Sequence, residues 1–327
     1  MKRLIMIAII ASSCLALTFS LYYMLTVYQS DLGMSSGGAP MSPAQAKRIV
    51  IISQEQGSFM MNEIQQGARE AAEAHQVMID FWGVYRSNLE ELVQQVDIAI
   101  ASKVDGIIVE GIDDPEFERI VSKATARGIP VITINSDAPG SLRKAYVGSD
   151  HHQEGIILGE YIAAQLKGEG QVGVIRNATS SAADDLRLEG LSEVLEQYSG
   201  MKLVFAADDT IAGQPIMQVY DILNHYPQVS AFVSLPTASG ESIVQAVYSR
   251  SRVNEYPIFL FDDSPQTTML IDKGMLMAGL SPHYQDMGRM SVDLVVGWLD
   301  GTQLPLNDSY FTPIRVVTAA YGQGGGQ

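Results

Sequence analysis

The chain of 327 residues holds a single cysteine, Cys14. That excludes a disulfide framework and any cysteine-built metal site. Positive charge is also scarce, with 21 Lys and Arg against 37 Asp and Glu and a net charge of −16. A phosphate backbone is repelled by that balance, so nucleic acid is not expected as a partner. Histidine is sparse as well. The adjacent pair His151-His152 has no second cluster at ligand spacing, so neither a metal nor a cofactor is expected. There is no nucleophile elbow and no phosphate-binding loop. Gly168-x-Gly170-x-x-Gly173 spells a dinucleotide fingerprint, but it closes a helix and runs into a strand, whereas a phosphate loop must leave a strand and open a helix. Asn177-Ala178-Thr179 is a glycosylation spelling only.

What is present is an ordinary globular composition, 46% hydrophobic and 18% charged, behind an apolar start. Leu4–Ser30 is 27 residues without a charge. About 20 apolar residues span a bilayer as a helix, and a cleaved signal peptide carries a shorter apolar region with a small-residue cleavage site. Ser36-Gly37-Gly38-Ala39-Pro40 is a poor such site. Tyr22, Tyr23 and Tyr28 sit where an interfacial belt would lie, and Lys2 and Arg3 keep the start inside. Residues 1–30 therefore read as an uncleaved signal-anchor, crossing the membrane through residues 4–28. The rest lies in the extracellular or periplasmic space. An inefficiently cleaved signal peptide is the alternative. A lipid anchor through Cys14 fits less well, because apolar residues follow it. Residues 31–46, rich in Gly, Ser, Pro and Met, read as a linker.

Residues 105–137 carry the most information. An apolar strand ending in Glu110 leads to an amphipathic helix closed by Arg127-Gly128, and a second apolar strand runs into Asn135-Ser136-Asp137. This is one βαβ unit with polar residues at the carboxyl ends of its strands, where an open parallel sheet holds its ligands. The unit recurs. Strands are expected at Ile49–Ser53, Val77–Trp82, Gly106–Glu110, Val131–Asn135 and Ala145–Gly148. A second series covers Gln171–Arg176, Lys202–Ala206, Ala231–Leu235, Ile258–Phe261, Leu276–Leu280 and Ile314–Thr318. Helices alternate with them. This alternation predicts doubly wound parallel sheets, and so many strands divide into two lobes with a cleft between them.

Ile49–Phe59, followed by Gln66-Gly67-Ala68-Arg69-Glu70-Ala71-Ala72, resembles the opening of type I periplasmic sugar-binding proteins of the ribose-binding kind. The resemblance continues through Lys103–Ile108, Gly128–Thr133, Tyr146–Asp150, Arg187–Gly190, Phe259–Asp263 and Asp286-Met287-Gly288, in the family's order. It covers residues 47–320 and leaves 321–327 as a tail. The DNA-binding helix pair of transcription regulators with this fold is absent from the sequence. The resemblance implies two α/β lobes joined by a three-segment hinge. Lobe one takes about 47–148 and 283–311, and lobe two about 149–282 and 312–320. The lobes close on a ligand by hinge motion.

It also implies the site. A sugar pocket needs planar donors and acceptors for hydroxyls and an apolar face for the ring. The loop after the first strand offers Ser53, Gln54, Gln56 and Phe59, unless Phe59 caps the core and the glutamines are solvated. Asn135 and Ser136 stand where the family usually has Asp-Arg, so hydrogen bonding is kept and the forked guanidinium is lost. Of four Asp pairs, Asp113-Asp114 and Asp208-Asp209 read as helix caps. Asp262 matches the family's ligand-binding Asp. Asp185 stands near a family binding Arg and Arg187 fits the second Arg of that motif; one of these faces the cleft and the other makes an ion pair. Pro236-Thr237 replaces the family's Asn-Asp, and Pro282, beside His283 and Tyr284, replaces its Gln. A ribose contact set therefore does not carry over whole. Trp82 either stacks on a sugar or belongs to the core or hinge.

The expected function is non-enzymatic binding of a monosaccharide or similar polyol. The closed form would be presented to a membrane histidine kinase or would feed an ABC permease, with the spanning helix favouring the kinase. The alternative is a glycosidase, for which two carboxyls such as Asp185 and Asp262 would flank the bond about 5–9.5 Å apart. A binding protein returns the sugar unchanged.

Overall fold

A computed structural model describes residues 46–85, 88–178, 181–237, 239–250 and 256–319. The expected signal-anchor, nearly all of the linker and the tail lie outside these. Among the described residues no helix is long and apolar enough to cross a membrane.

The chain opens with β1 (Arg48–Ser53), α1 (Phe59–His75), β2 (Met78–Gly83), α2 (Leu89–Ala101), β3 (Gly106–Glu110), α3 (Pro115–Ala126), β4 (Val131–Ile134) and β5 (Ala145–Gly148). Alternate side chains of a strand point to opposite faces, and a parallel sheet covered by helices on both faces buries both. The unbroken apolar run of β1 follows from this. Ile49 and Ile51 pack with Ile64 of α1 on one face, whereas Val50 and Ile52 pack with Leu92 and Val96 of α2 on the other. The helices begin at side-chain caps: Ser58 accepts from the Met61 amide, Asn88 from Glu91 and Asp114 from Glu116. Trp82 packs against the second of these cores.

After β5 the chain enters a second lobe with α4 (His151–Leu166), capped by Asp150, then β6 (Glu169–Ile175) and α5 (Ala182–Leu195). It continues with β7 (Gly200–Val204), α6 (Pro215–His225), β8 (Val229–Ser234), α7 (Gly240–Ser249), β9 (Ile258–Leu260), α8 (Pro265–Asp272) and β10 (Ala278–Pro282). It then returns to the first lobe for α9 (Tyr284–Leu299) and β11 (Ser309–Phe311), and β12 (Ile314–Val317) ends in the second. Among the described residues there are two six-stranded sheets, ordered β11-β5-β4-β3-β1-β2 and β12-β10-β9-β8-β6-β7. Among the described residues every strand pairing is parallel except that of β12 with β10.

Several strand bounds differ by a residue or two from the sequence expectation, β10 among them at Ala278–Pro282. β7 begins at Gly200, two residues before the expected start, because its register is set by pairing Gly200 with Glu169 of β6. α8 and β11 were not expected: α8 has eight residues behind a proline, and β11 only three, too short for periodicity to register. β4 stops at Ile134 because Asn135 takes a left-handed backbone, φ 64°.

The three crossings between sheets are bonded to one another. Thr312 donates its backbone N–H to the Gly148 carbonyl at 2.9 Å, and His283 donates to Pro313 at 3.2 Å. Segments 148–150, 282–284 and 311–313 thus form one band.

Candidate ligand-binding site

Both sheets end at this band, and residues from both lobes line the spaces beside it. One cavity of about 570 Å³ has Gly111, Ser136 and Tyr146 on the side of lobe one, with Ser149, His151 and Leu186 opposite. Phe311 of the band closes it with a half-exposed ring in edge contact with Tyr146. A second, of about 210 Å³, lies between Phe59, Glu63 and Tyr284 of lobe one and Asp263, Ser281 and Arg315 of lobe two.

In lobe one the polar ends of β1, β3 and β4 interlock. Gln54 donates its backbone N–H to Glu110 Oε2 at 2.6 Å, and its side-chain amide to the Gly111 carbonyl at 3.0 Å and to Ser136 Oγ at 3.2 Å. Asn135 donates to Glu110 Oε1 at 3.1 Å, and Ser136 to the Gly111 carbonyl at 2.7 Å. Glu110 is buried, and burial raises its pKa above the usual carboxylate range against the pull of the Gln54 and Asn135 donors. Asp137 is held apart from this group by a fork from Arg143, at 2.5 and 2.7 Å. Tyr146 donates its hydroxyl to the Asn135 carbonyl at 2.9 Å, which fixes the left-handed turn.

Lobe two presents charge. Arg187, from the middle of α5, donates to Glu154 of α4 at 2.7 Å and lies 3.7 Å from Asp184, with its guanidinium over the Phe261 ring. His151 bonds the same Glu154 oxygen at 3.0 Å. Burial opposes the Glu154 charge, but the His151 bond and the Arg187 charge outweigh it and hold this carboxyl at about 2. Asp262 accepts from Ser264 Oγ at 2.7 Å and from Thr267 Oγ1, closing the first turn of α8. The neighbouring Asp263 is different: burial, with the Asp262 charge adding, pushes its carboxyl up to about 6 against Ser281 and Arg315.

The expected site residues therefore fall into groups. Gln54, Asn135 and Ser136 share one network. Phe59 meets Asp263 at the interlobe cavity. Ser53 is buried, its hydroxyl 3.5 Å from the Trp82 carbonyl, and Gln56 is exposed, its N–H donated to Val84. Asp185 lines a separate space of about 330 Å³ with Arg176 and Asn177 beyond β6. Sequence reasoning passed over Glu110, Glu154, Asp263 and Tyr146. Glu110 ends an apolar strand and could have been found by that position; Glu154 gives no signal, since it sits one turn inside an ordinary helix.

Fold and cleft together define a two-lobed protein of the type I periplasmic binding kind, with polar side chains on both sides of a band of three crossing segments. The chain belongs to the periplasmic binding protein domain family, which matches residues 49–303. It is 22% identical over 239 residues to the D-ribose/D-allose-binding protein of Pseudomonas aeruginosa, covering 69% of this chain and 74% of the relative. Among solved structures it is similar to GanP, a glucose-galactose binding protein from Geobacillus stearothermophilus. That match has a TM-score of 0.75, 27% identity and coverage of 84% of this chain and 98% of the other. Its fold is also that of a chain in the XylFII-LytSN complex, with a TM-score of 0.70, 24% identity and coverage of 86% and 99%.

Proposed function

We propose that the protein binds a monosaccharide or similar polyol between its lobes, outside the cytoplasm, and closes on it about the hinge band without altering it chemically. One observation carries this reading: hydrogen-bonding side chains of both lobes line cavities beside the same three bonded crossings. The names of the relatives, which bind ribose, allose, glucose or galactose, support the ligand class. The ligand residues proposed are Gln54, Gln56, Ser53, Phe59, Asn135, Ser136, Asp185, Arg187 and Asp262.

The closed form would act on a membrane partner. The uncharged stretch Leu4–Ser30 favours a fixed partner in the same membrane, a histidine kinase, over an ABC permease. Thermal-shift titration with single monosaccharides tests the binding: a ligand at 100 times its Kd raises stability by about 2.7 kcal/mol. Deleting the gene separates the partners. Loss of a kinase response with sugar uptake intact supports sensing, and loss of uptake alone overturns it.

A further inference from the structure

The acid pair that follows β9 is unequally bonded. Asp262 already accepts from Ser264 and Thr267 in the first turn of α8. Asp263 borders the interlobe cavity of about 210 Å³, and its Oδ1 is enclosed by protein without a hydrogen-bond partner. A second enclosed atom in the same cavity is also without a partner. His283 engages Asp286 through Nδ1 at 3.0 Å, and its Nε2 has none. Buried polar atoms in native proteins are satisfied by protein, water or ligand, and one left open costs free energy. Two such atoms beside the ring of Phe59 form a small polar cradle with one aromatic wall, at the place where the lobes meet.

We propose that Asp263, with His283 beside it, is a further specificity-determining group of the cleft and accepts hydrogen bonds from the ligand's hydroxyls. This rests on the polyol-binding reading and adds a residue pair to it. With Nδ1 turned to Asp286, Nε2 of the His283 ring is left beside the Asp263 carboxyl, whose open oxygen asks for a donor. A ligand acid group at this position would meet the Asp263 carboxylate directly, so a uronate is rejected where its parent sugar is accepted.

The choice of acceptor has a titration signature. Asp263 lies among Asp262 on its own segment, Asp272 of α8 and Lys273 just after it, Arg315 of β12 and Glu63 of α1, with Tyr284, His283 and Asp286 at the start of α9. Within this group its carboxyl is pushed up to about 6. A hydroxyl donated to Asp263 favours the ionised form, so binding near pH 6 expels a proton, and above pH 8 it does not.

The full 327-residue chain is titrated calorimetrically with D-ribose, D-allose, D-glucose, D-galactose and D-galacturonate, between pH 5 and 8 and in buffers of different ionisation enthalpy. The expected result is that a neutral sugar binds with fractional proton release near pH 6, and that its affinity falls up to tenfold per pH unit below that. Galacturonate binds at least tenfold more weakly than galactose where galactose is a ligand. D263N weakens binding at least tenfold and flattens the pH profile. Sugar binding without proton release near pH 6, or a pH profile retained in D263N and lost in D262N, overturns the assignment while leaving the polyol reading intact. If D263N fails to fold, the proton count on the unaltered chain decides alone. Binding of none of these sugars overturns the polyol reading itself.

Discussion

The two lobes are built on the same device and differ where they meet the cleft. In lobe one α1 crosses α9 with Gly67 and Gly288 at the contact, where a Cβ on either would collide with the carbonyl of Gln285 or Ile64. In lobe two α4 crosses α5 through Gly155 and Gly190, and a Cβ would collide with the carbonyls of Arg187 or His152. Each lobe thus brings two helices to backbone contact over its sheet. Their cleft ends diverge. Lobe one offers amides and hydroxyls that already bond one another around Glu110, while lobe two offers Arg187, Glu154 and the Asp262-Asp263 pair. Lobe one is thus already bonded to itself where it meets the cleft, whereas lobe two brings an ion pair and two adjacent carboxyls there.

The largest test of that asymmetry is Glu154. Its side chain is 1% exposed and that of Arg187 11%, so Glu154→Leu leaves a buried guanidinium with Asp184 at 3.7 Å as its remaining ion-pair partner and is expected to destabilise the protein by about 3 kcal/mol. Replacing both partners, Glu154→Leu with Arg187→Met, is expected to recover most of the loss, as measured by urea unfolding. The pH sign follows. The folded carboxyl sits near 2, below its ordinary value, so its contribution is complete above about pH 4.5 and is lost as pH falls toward 2. An equal loss in the double variant would break the picture of lobe two as charge-balanced.

Next in size are the crossings, where the lobes should behave alike. Gly67→Ala and Gly190→Ala each force a methyl into a facing carbonyl, and each is expected to cost about 1–3 kcal/mol by overpacking, read as a lower unfolding midpoint. If one is tolerated and the other is not, the parallel between the lobes fails.

These glycines also mark what the sequence made legible. Gln66-Gly67, Glu189-Gly190 and Met287-Gly288 stood out as family landmarks, and the structure places all three at helix crossings, so they carried information on packing. The βαβ rhythm was readable because β1, β3 and β4 are apolar on both faces, as buried parallel strands must be. β11 escaped because three residues paired to β5 owe their conformation to a distant partner. The site was only partly legible for the same reason. Asn135 and Ser136 lie next to a readable strand end, but the pairing of Arg187 with Glu154 joins two helices 33 positions apart. The division of labour between Asp262 and Asp263 is invisible in two identical letters, because it depends on Ser264 and Thr267 turning back onto the first.

The smallest effect expected concerns that division. A carboxyl raised in the folded state penalises folding once it must ionise, so Asp263 weakens the unliganded protein as pH rises from about 4 through 6. Asp263→Asn removes the penalty. It is expected to stabilise the free protein by about 1–2 kcal/mol at pH 8 and to leave it nearly unchanged at pH 4. Asp262→Asn should lack this pattern and instead loosen the first turn of α8, lowering stability by about 1 kcal/mol at pH 8. Denaturant midpoints of both variants across that range separate the two carboxyls. A stabilisation confined to Asp263→Asn identifies one carboxyl of lobe two whose burial costs stability until a ligand is bound, and loss of stability at pH 8 in that variant shows that its surroundings already satisfy it.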